Sequence, residues 1–220
     1  MSVHKTFRKD DPKLYDSIAA EWDSTRKNAW KEFEFAQELL TAEKILDAGC
    51  GNGRLVKWLR ENGFKGKYLG VDSSTELLGK AKDNFPNEEF EKADLREYSQ
   101  PERFNSIFCV AVLHHFEGAE DRLRVLQNLY ANLKPGGKIF LTTWNLFQPR
   151  YWKYLLKAHS RDCRIPFADR GERFVHAFTK SELKKLLRMA DFREVKVFYA
   201  KHSEKAGIFS GCNLVALAKK

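Results

Sequence analysis

Long apolar runs are missing from this sequence, and so are closely spaced cysteines. No stretch approaches the roughly 20 apolar residues that a bilayer-spanning helix needs, and no apolar segment follows the charged start MSVHKTFRKDD as a secretory leader requires. The four cysteines, Cys50, Cys109, Cys163 and Cys212, stand too far apart for a zinc knuckle or a redox dithiol. They read as reduced thiols, and these absences together predict a soluble protein of the cytoplasm. Internal repeats and low-complexity segments are absent too, which argues against a solenoid or a disordered linker.

Positive charge is plentiful. Lys and Arg number 39 against 30 Asp and Glu, a net charge of +9, which suits a polyanionic partner or substrate such as nucleic acid and equally a basic protein that is merely soluble. With 43% hydrophobic residues, 220 residues suit one compact domain or one domain with a small elaboration.

From Lys44 onward, short apolar runs alternate with segments of helical period, the pattern of βαβ units on a parallel sheet. Strands are expected at 44–49, 67–72, 88–94, 104–115 and 138–144, the fourth nearly continuous in apolar residues as a central strand covered on both faces should be. Helices are expected from Arg54 to Asn62, from Ser73 or Ser74 to the Phe85-Pro86-Asn87 break, from Asp121 to Leu133, and from Thr179 to Ala190. REVKVFYA and NLVALAKK should form a closing antiparallel pair. Residues 145–178 show no clean period and are predicted to lie as a basic, aromatic insertion over the active face. The first 40 residues hold two helical patterns, YDSIAAEWDSTR and WKEFEFAQELL, expected as a cap folding over the binding edge.

The sharpest local signal is Leu46-Asp47-Ala48-Gly49-Cys50-Gly51-Asn52-Gly53, between the first strand and the first helix. Glycines there permit a tight turn and close approach of a ligand to the backbone, although a crossover loop that binds nothing has the same composition. Arg54 stands where a dinucleotide fingerprint has its third glycine, and Asp47, just before the turn, would repel a pyrophosphate. S-adenosylmethionine brings an ammonium and a sulfonium and no phosphate, so the same carboxylate becomes favourable to it. Asp72 ends the second strand, where it can accept from ribose hydroxyls, and Asp94 ends the third, where it can accept from an adenine amino group. Each alone also reads as a solvated loop carboxylate; three at successive strand ends beside one glycine turn point to a ligand edge.

ILDAGCGNGR, LGVDSS, KADL, AVLHHF and LKPGGKIFLTTWN together resemble the motifs of class I S-adenosylmethionine-dependent methyltransferases, over about residues 40–145. The resemblance implies a Rossmann-like α/β fold, a seven-stranded and mostly parallel sheet with helices on both faces and an antiparallel last strand. It also implies S-adenosyl-L-methionine as cofactor, held by Asp47, Gly49, Gly51, Asn52, Asp72, Ser73, Asp94, Leu95 and Ala111. A narrower resemblance rests on Tyr15-Asp16-Ser17-Ile18-Ala19, Thr25-Arg26, Trp30, VLHHF, Trp144-Asn145 and RFVHAFTKSELKKLL. These look like the eukaryotic-type tRNA methyltransferases that esterify carboxymethyl groups on wobble uridine, and Arg173, His176, Phe178, Glu182 and Leu183 fit that family's order. The insertion after the fifth strand looks shorter than in typical members. Eukaryotic members work with a small zinc-binding activator protein; nothing in this chain speaks for or against that partner.

Methyl transfer from a sulfonium is an in-line displacement, so alignment and exclusion of water matter most. A carboxylate acceptor is already ionised at neutral pH, so the enzyme needs a cationic or hydrogen-bonding cradle rather than a base. Arg26, Arg173 and His176 are candidates for that cradle by the resemblance, or else surface groups in solvated contacts. Arg150, Tyr151, Trp152, Lys153, Tyr154, Lys157, Arg161, Arg164, Arg170 and Arg173 interleave cations with rings, as in surfaces that read unpaired RNA bases, or as in a lid with its own small core. His114 and His115, adjacent at a strand end, should point to opposite faces and so cannot chelate one metal together; His115 is expected to face the substrate in a positioning role. Three functions stay open: a tRNA methyltransferase, a methyltransferase of a small molecule such as a quinone precursor, and a non-catalytic RNA-binding relative.

Overall fold

The computed structural model describes residues 30–166 and 172–220. Its centre is an eight-stranded sheet in the order β3-β2-β1-β4-β5-β10-β8-β9. Strands β1 (Lys44–Ala48), β2 (Lys67–Asp72), β3 (Glu89–Lys92), β4 (Phe104–Val110) and β5 (Leu133–Trp144) run parallel. β10 (Asn213–Lys219) inserts antiparallel between β5 and β8 (Arg193–Lys201), and a short β9 (Glu204–Ala206) pairs antiparallel at the edge. The expected seven strands are all there. The eighth, β9, is three residues long, too short to leave a periodic signal in the sequence.

Alternation along the central strands fills two cores. Ile107 and Cys109 of β4 join Val125, Leu126 and Leu129 of α3 (Ala119–Asn132) and Leu183 and Leu187 of α5 (Lys180–Met189) on one face. Phe108, between them, points the other way with Phe140 of β5, toward Leu55, Val56, Trp58 and Leu59 of α1 (Arg54–Glu61). Both faces of the parallel strands are thus covered, which is why β4 reads as an unbroken apolar run. The α2 helix (Thr75–Asn84) starts where the Ser74 hydroxyl accepts from the Leu77 amide at 3.2 Å. At α5, Thr179 caps the Glu182 amide in the same way.

Two expectations need correction, and a third is seen only in part. At the start of WKEFEFAQELL the Trp30 ring lies 4.7 Å from the Arg54 guanidinium beside the glycine turn, and the stretch forms a 3-10 helix, Lys31–Thr41, that buries Phe33, Ala36 and Leu39 against the sheet face. Its apolar side chains find a partner there, the Phe33 ring lying 5.3 Å from Trp58 and 6.4 Å from Phe108. YDSIAAEWDSTR, with Arg26, lies outside the described residues. The fourth strand stops at Val110, because Ala111 turns to φ 58° and residues Leu113–His115 coil into a 3-10 turn. Residues 145–178 carry regular structure: α4 (Trp152–Ala158) and a separate hairpin of β6 (Asp162–Pro166) with β7 (Glu172–His176). Leu146, Cys163, Ile165, Val175 and Ala177 give this unit a core of its own, against which Tyr151 and Tyr154 pack. Its short elements and mixed burial hid the period.

Candidate active site

The five parallel strands end on one edge, with the order changing direction at β1, which has β2 on one side and β4 on the other. That switch opens a crevice at the strand ends, where ligands bind in sheets of this type. Here the glycine turn leaves β1. Gly49, Gly51 and Gly53 have φ of 82°, 55° and 78°, a left-handed path that side chains with a Cβ rarely follow. Gly49 also sits against β4's end: a Cβ on it would fall 2.3 Å from Val112 Cγ2.

The acidic residues divide by environment. Asp72 accepts from the Gly51 amide at 2.8 Å and the Ser74 amide at 2.9 Å, so the second strand end is tied to the glycine turn. Each carboxylate oxygen can accept two hydrogen bonds, and Asp72 with Ser73 beside it is only half-buried. Asp47 lies beneath the turn, 2% exposed, accepting from the Tyr68 hydroxyl at 2.8 Å. Burial pushes its carboxyl up to about 7; Tyr68 and Arg54 oppose that rise and Asp72 adds to it. Asp94 is held by Arg96, whose Nη2 and Nε donate to one carboxylate oxygen at 2.6 and 3.0 Å. Burial alone would raise the Asp94 carboxyl, but the Arg96 hydrogen bonds win and hold it below the ordinary value.

Asn52 is buried in the turn and Leu95 buries its side chain in the core, which leaves only the Leu95 backbone for any ligand. Ala111 holds its left-handed φ with its amide donating to the Thr142 carbonyl at 3.0 Å and to Thr142 Oγ1 at 3.1 Å. A non-glycine residue in that conformation costs on the order of 1 kcal/mol, and such strain concentrates at functional edges.

The second half of the site lies past β4 and β5. Because His114 and His115 occupy a 3-10 turn rather than a strand, they do not diverge; their ring centroids are 4.2 Å apart. Trp144, the last residue of β5, lies 5.4 Å from the His114 ring and 6.2 Å from the His115 ring. Arg173 of β7 covers the same indole, its guanidinium carbon 4.0 Å from the ring centroid. The hairpin is fastened here because His115 Nδ1 donates to the Phe174 carbonyl at 2.9 Å. That bond fixes the tautomer, leaving Nε2 as the acceptor of a neutral ring. Burial lowers His115 to about 4, with the Phe174 bond resisting and Arg173 reinforcing the shift. His114, 0% exposed, is driven well below its ordinary value by burial, then by His115, Arg173 and His176.

His176 has a different setting from the cradle expected of it. Nδ1 faces Asp162 Oδ1 at 2.5 Å across the hairpin and Nε2 faces Glu182 Oε1 at 2.9 Å on α5, so both ring nitrogens are spent on carboxylates, the second of which joins the hairpin to α5. Arg161 reaches the same Glu182 at 2.5 Å. His176 is therefore a fastening of the hairpin, 4% exposed, with no nitrogen left for a substrate. Nothing in the local pattern around Trp144 assigns it a role; its place at the end of a central strand is the signal for one.

With this geometry in view, comparison with known proteins decides the family. A model described as "Methyltransferase domain" matches residues 19–197. The chain belongs to that family. Its relatives include a tRNA (carboxymethyluridine(34)-5-O)-methyltransferase of Arabidopsis thaliana, 34% identical over 60% of this chain and 32% of that protein. The fission yeast protein of the same name is 26% identical over 80% of this chain and 86% of its own length. A trans-aconitate 2-methyltransferase of Rhodopseudomonas palustris is 30% identical over 46% of this chain and 38% of that protein. This chain thus spans about a third or less of the Arabidopsis relative and of the similar vertebrate proteins.

Among solved structures, an S-adenosylmethionine-dependent methyltransferase of Thermotoga maritima superposes with a TM-score of 0.68 at 19% identity, covering 94% of this chain and 98% of that one. A complex of the Haloferax volcanii Trm112 methyltransferase activator with a methyltransferase gives 0.67 at 15% identity, over 94% and 96%. These likenesses establish the Rossmann-like methyltransferase fold. No helix of the described residues is long and apolar enough to cross a membrane.

Proposed function

We propose that this methyltransferase uses S-adenosylmethionine to esterify a carboxylate on tRNA, the carboxymethyl group of a modified wobble uridine. The observation that carries the reading is the Arg173–Trp144 stack beside a neutral His115 at the carboxyl ends of β4 and β5. An arginine over an indole offers a fixed cation for a carboxylate and an aromatic wall for a base. Neutral histidines fit a reaction that removes no proton, since the acceptor oxygen is already ionised.

The residues present fit the cofactor. The left-handed glycine turn leaves backbone open to close approach, and carboxylates at the ends of β1, β2 and β3 suit a cationic nucleoside with hydroxyl and amino donors. Asp72 and Ser73 would take the ribose, Asp94 and the Leu95 backbone the adenine, and Asp47, Gly49, Gly51, Asn52 and Ala111 the amino-acid end. S-adenosylmethionine supplies a methyl on a sulfonium, a leaving group that needs no metal and no change of oxidation state. Arg173 orients the acceptor carboxylate, His115 holds a positioning role through its bond to the hairpin at Phe174, and the hairpin over Trp144 keeps water out. Arg26 shares in substrate binding on the resemblance alone.

The relatives' names support the tRNA reading, and the trans-aconitate relative supports a second one, a small carboxylic acid as acceptor. Both share a carboxylate nucleophile. An activator subunit like that in the Haloferax complex remains compatible with the tRNA reading. The test is mass spectrometry of tRNA nucleosides after incubation with labelled cofactor. A methyl ester on a carboxymethyl uridine is expected; label that passes to aconitate and not to tRNA would overturn the reading in favour of the second.

A further inference from the structure

Two large rings stand at the surface beside the pocket, where the end of β5 meets the loop between β9 and β10. Trp152 is 47% exposed and Phe209 is 61% exposed, and the rings meet edge to face at 6.0 Å. They come from positions 57 residues apart in a chain whose pattern gave no reason to pair them. Their placement is not loose. The Trp152 indole nitrogen donates to the Phe147 carbonyl at 2.8 Å. Asn145, 0% exposed, donates to the carbonyls of Ile208 at 2.6 Å and Gly211 at 2.7 Å, on either side of Phe209. Gln148 donates to the carbonyls of Asn145 at 2.7 Å and Cys212 at 3.3 Å. Burying two amides is costly unless they are bonded, and these bonds all serve to fix the one junction that carries the rings.

The surroundings identify an occupant. From Trp144 to Arg161 there is no Asp or Glu, while Arg150, Lys153 and Lys157 are all exposed. Tyr151 and Tyr154 turn inward to pack on the hairpin's core, so of the aromatics in this stretch Trp152 is the one most exposed to solvent. Its only donor is directed inward to Phe147, so the exposed part offers a ring surface and no polar recognition. Exposed rings at a segment that carries three exposed cations and no acid between residues 144 and 161 match an unpaired base between phosphates. A purely apolar protein partner would gain nothing from the cations. Trp144, which borders the pocket, directly precedes Asn145, which fixes the junction, so the two surfaces adjoin.

We propose that Trp152 and Phe209 form a stacking platform for an unpaired nucleobase next to the nucleotide that is methylated, with Arg150 and Lys153 against the neighbouring phosphates. The inference rests on the tRNA reading above and adds a second contact to it. The probe is a short hairpin RNA with an unpaired loop, its binding followed by fluorescence anisotropy, with cofactor titration calorimetry as the check of the fold. Trp152→Ala and Phe209→Ala should each weaken RNA binding about tenfold, the usual worth of one stacked base. Trp152→Phe should recover most of the loss, and KM for tRNA should rise more than kcat falls. Arg150→Glu with Lys153→Glu provides an independent variant pair at exposed positions, expected to weaken binding and flatten its salt dependence. Unchanged RNA affinity in variants that still bind the cofactor would overturn the platform, as would loss of a protein partner's binding in place of RNA. Wild-type protein that neither binds nor methylates RNA would instead overturn the tRNA reading beneath it.

Discussion

The guanidinium of Arg173 lies over the indole of Trp144, its central carbon 4.0 Å from the ring centroid, and both sit beside the His114–His115 pair. Lysine keeps the charge but loses the planar fork and the stack. Arg173→Lys should therefore raise KM for the acceptor about tenfold and change kcat less. Steady-state kinetics on tRNA check this, and an unaltered KM would remove Arg173 from the acceptor site.

Val112 leaves no room for a side chain at Gly49. A Cβ at Gly49 would meet Val112 Cγ2 at 2.3 Å, and the residue's φ is 82°. Left-handed strain of about 1–2 kcal/mol adds to overpacking of about 1–3 kcal/mol. Gly49→Ala should lose about 2–5 kcal/mol in chemical denaturation, with cofactor binding abolished or greatly weakened in calorimetry. Gly49→Ala combined with Val112→Ala should recover part of the stability, since the clash goes and the strain stays.

Much of this was legible in the sequence, and the exceptions have physical causes. The parallel strands and the helices between them followed from period and caps, because long, two-sided burial leaves strong apolar patterns. The glycine turn with Asp47, Asp72 and Asp94 was legible because strand ends in such a sheet share one edge. Misread were the elements whose role depends on distant partners. His114 and His115 looked like a strand end because the turn begins at Ala111, whose left-handed φ no pattern announces. His176 looked like a substrate ligand until Asp162 and Glu182 were found on its two nitrogens. Trp152 gained meaning only beside Phe209.

His176→Ala should act on stability rather than on chemistry. Removing the ring leaves Asp162 and Glu182 facing each other across a gap and weakens the tie between the hairpin and α5, which then rests on Arg161 and Glu182. Losing two hydrogen bonds to charged groups should cost about 2–4 kcal/mol. Thermal unfolding would register the loss, while kcat at saturating substrate below the new transition should stay within a few-fold of wild type. A collapse of kcat with stability intact would return His176 to the reacting groups.

His115 should set part of the acid limb of stability. Its ordinary value is 6.5 and the fold holds it at about 4, so between those values the unfolded chain binds the extra proton. Stability therefore falls as pH drops from about 6.5 to about 4, by roughly 3 kcal/mol if the full shift applies. His114 shifts in the same direction. His115→Gln should flatten this limb in denaturation measured at several pH values. A limb as steep as in wild type would mean that His115 does not titrate as its burial implies.

Asp47 carries the opposite dependence and links it to the cofactor. Its carboxyl rises from 3.8 to about 7 because it is buried, so across that range the folded state holds the extra proton and stability declines with rising pH. A ligand cation placed near the turn favours the ionised form and pulls the value back down. Cofactor binding near pH 7 should then release a fraction of a proton, and affinity should increase as pH rises from about 6 to about 8. Calorimetry in two buffers of different ionisation enthalpy measures that release directly. Asp47→Asn should abolish it and leave affinity flat with pH, whereas release of the same size from the variant would place the proton on another group.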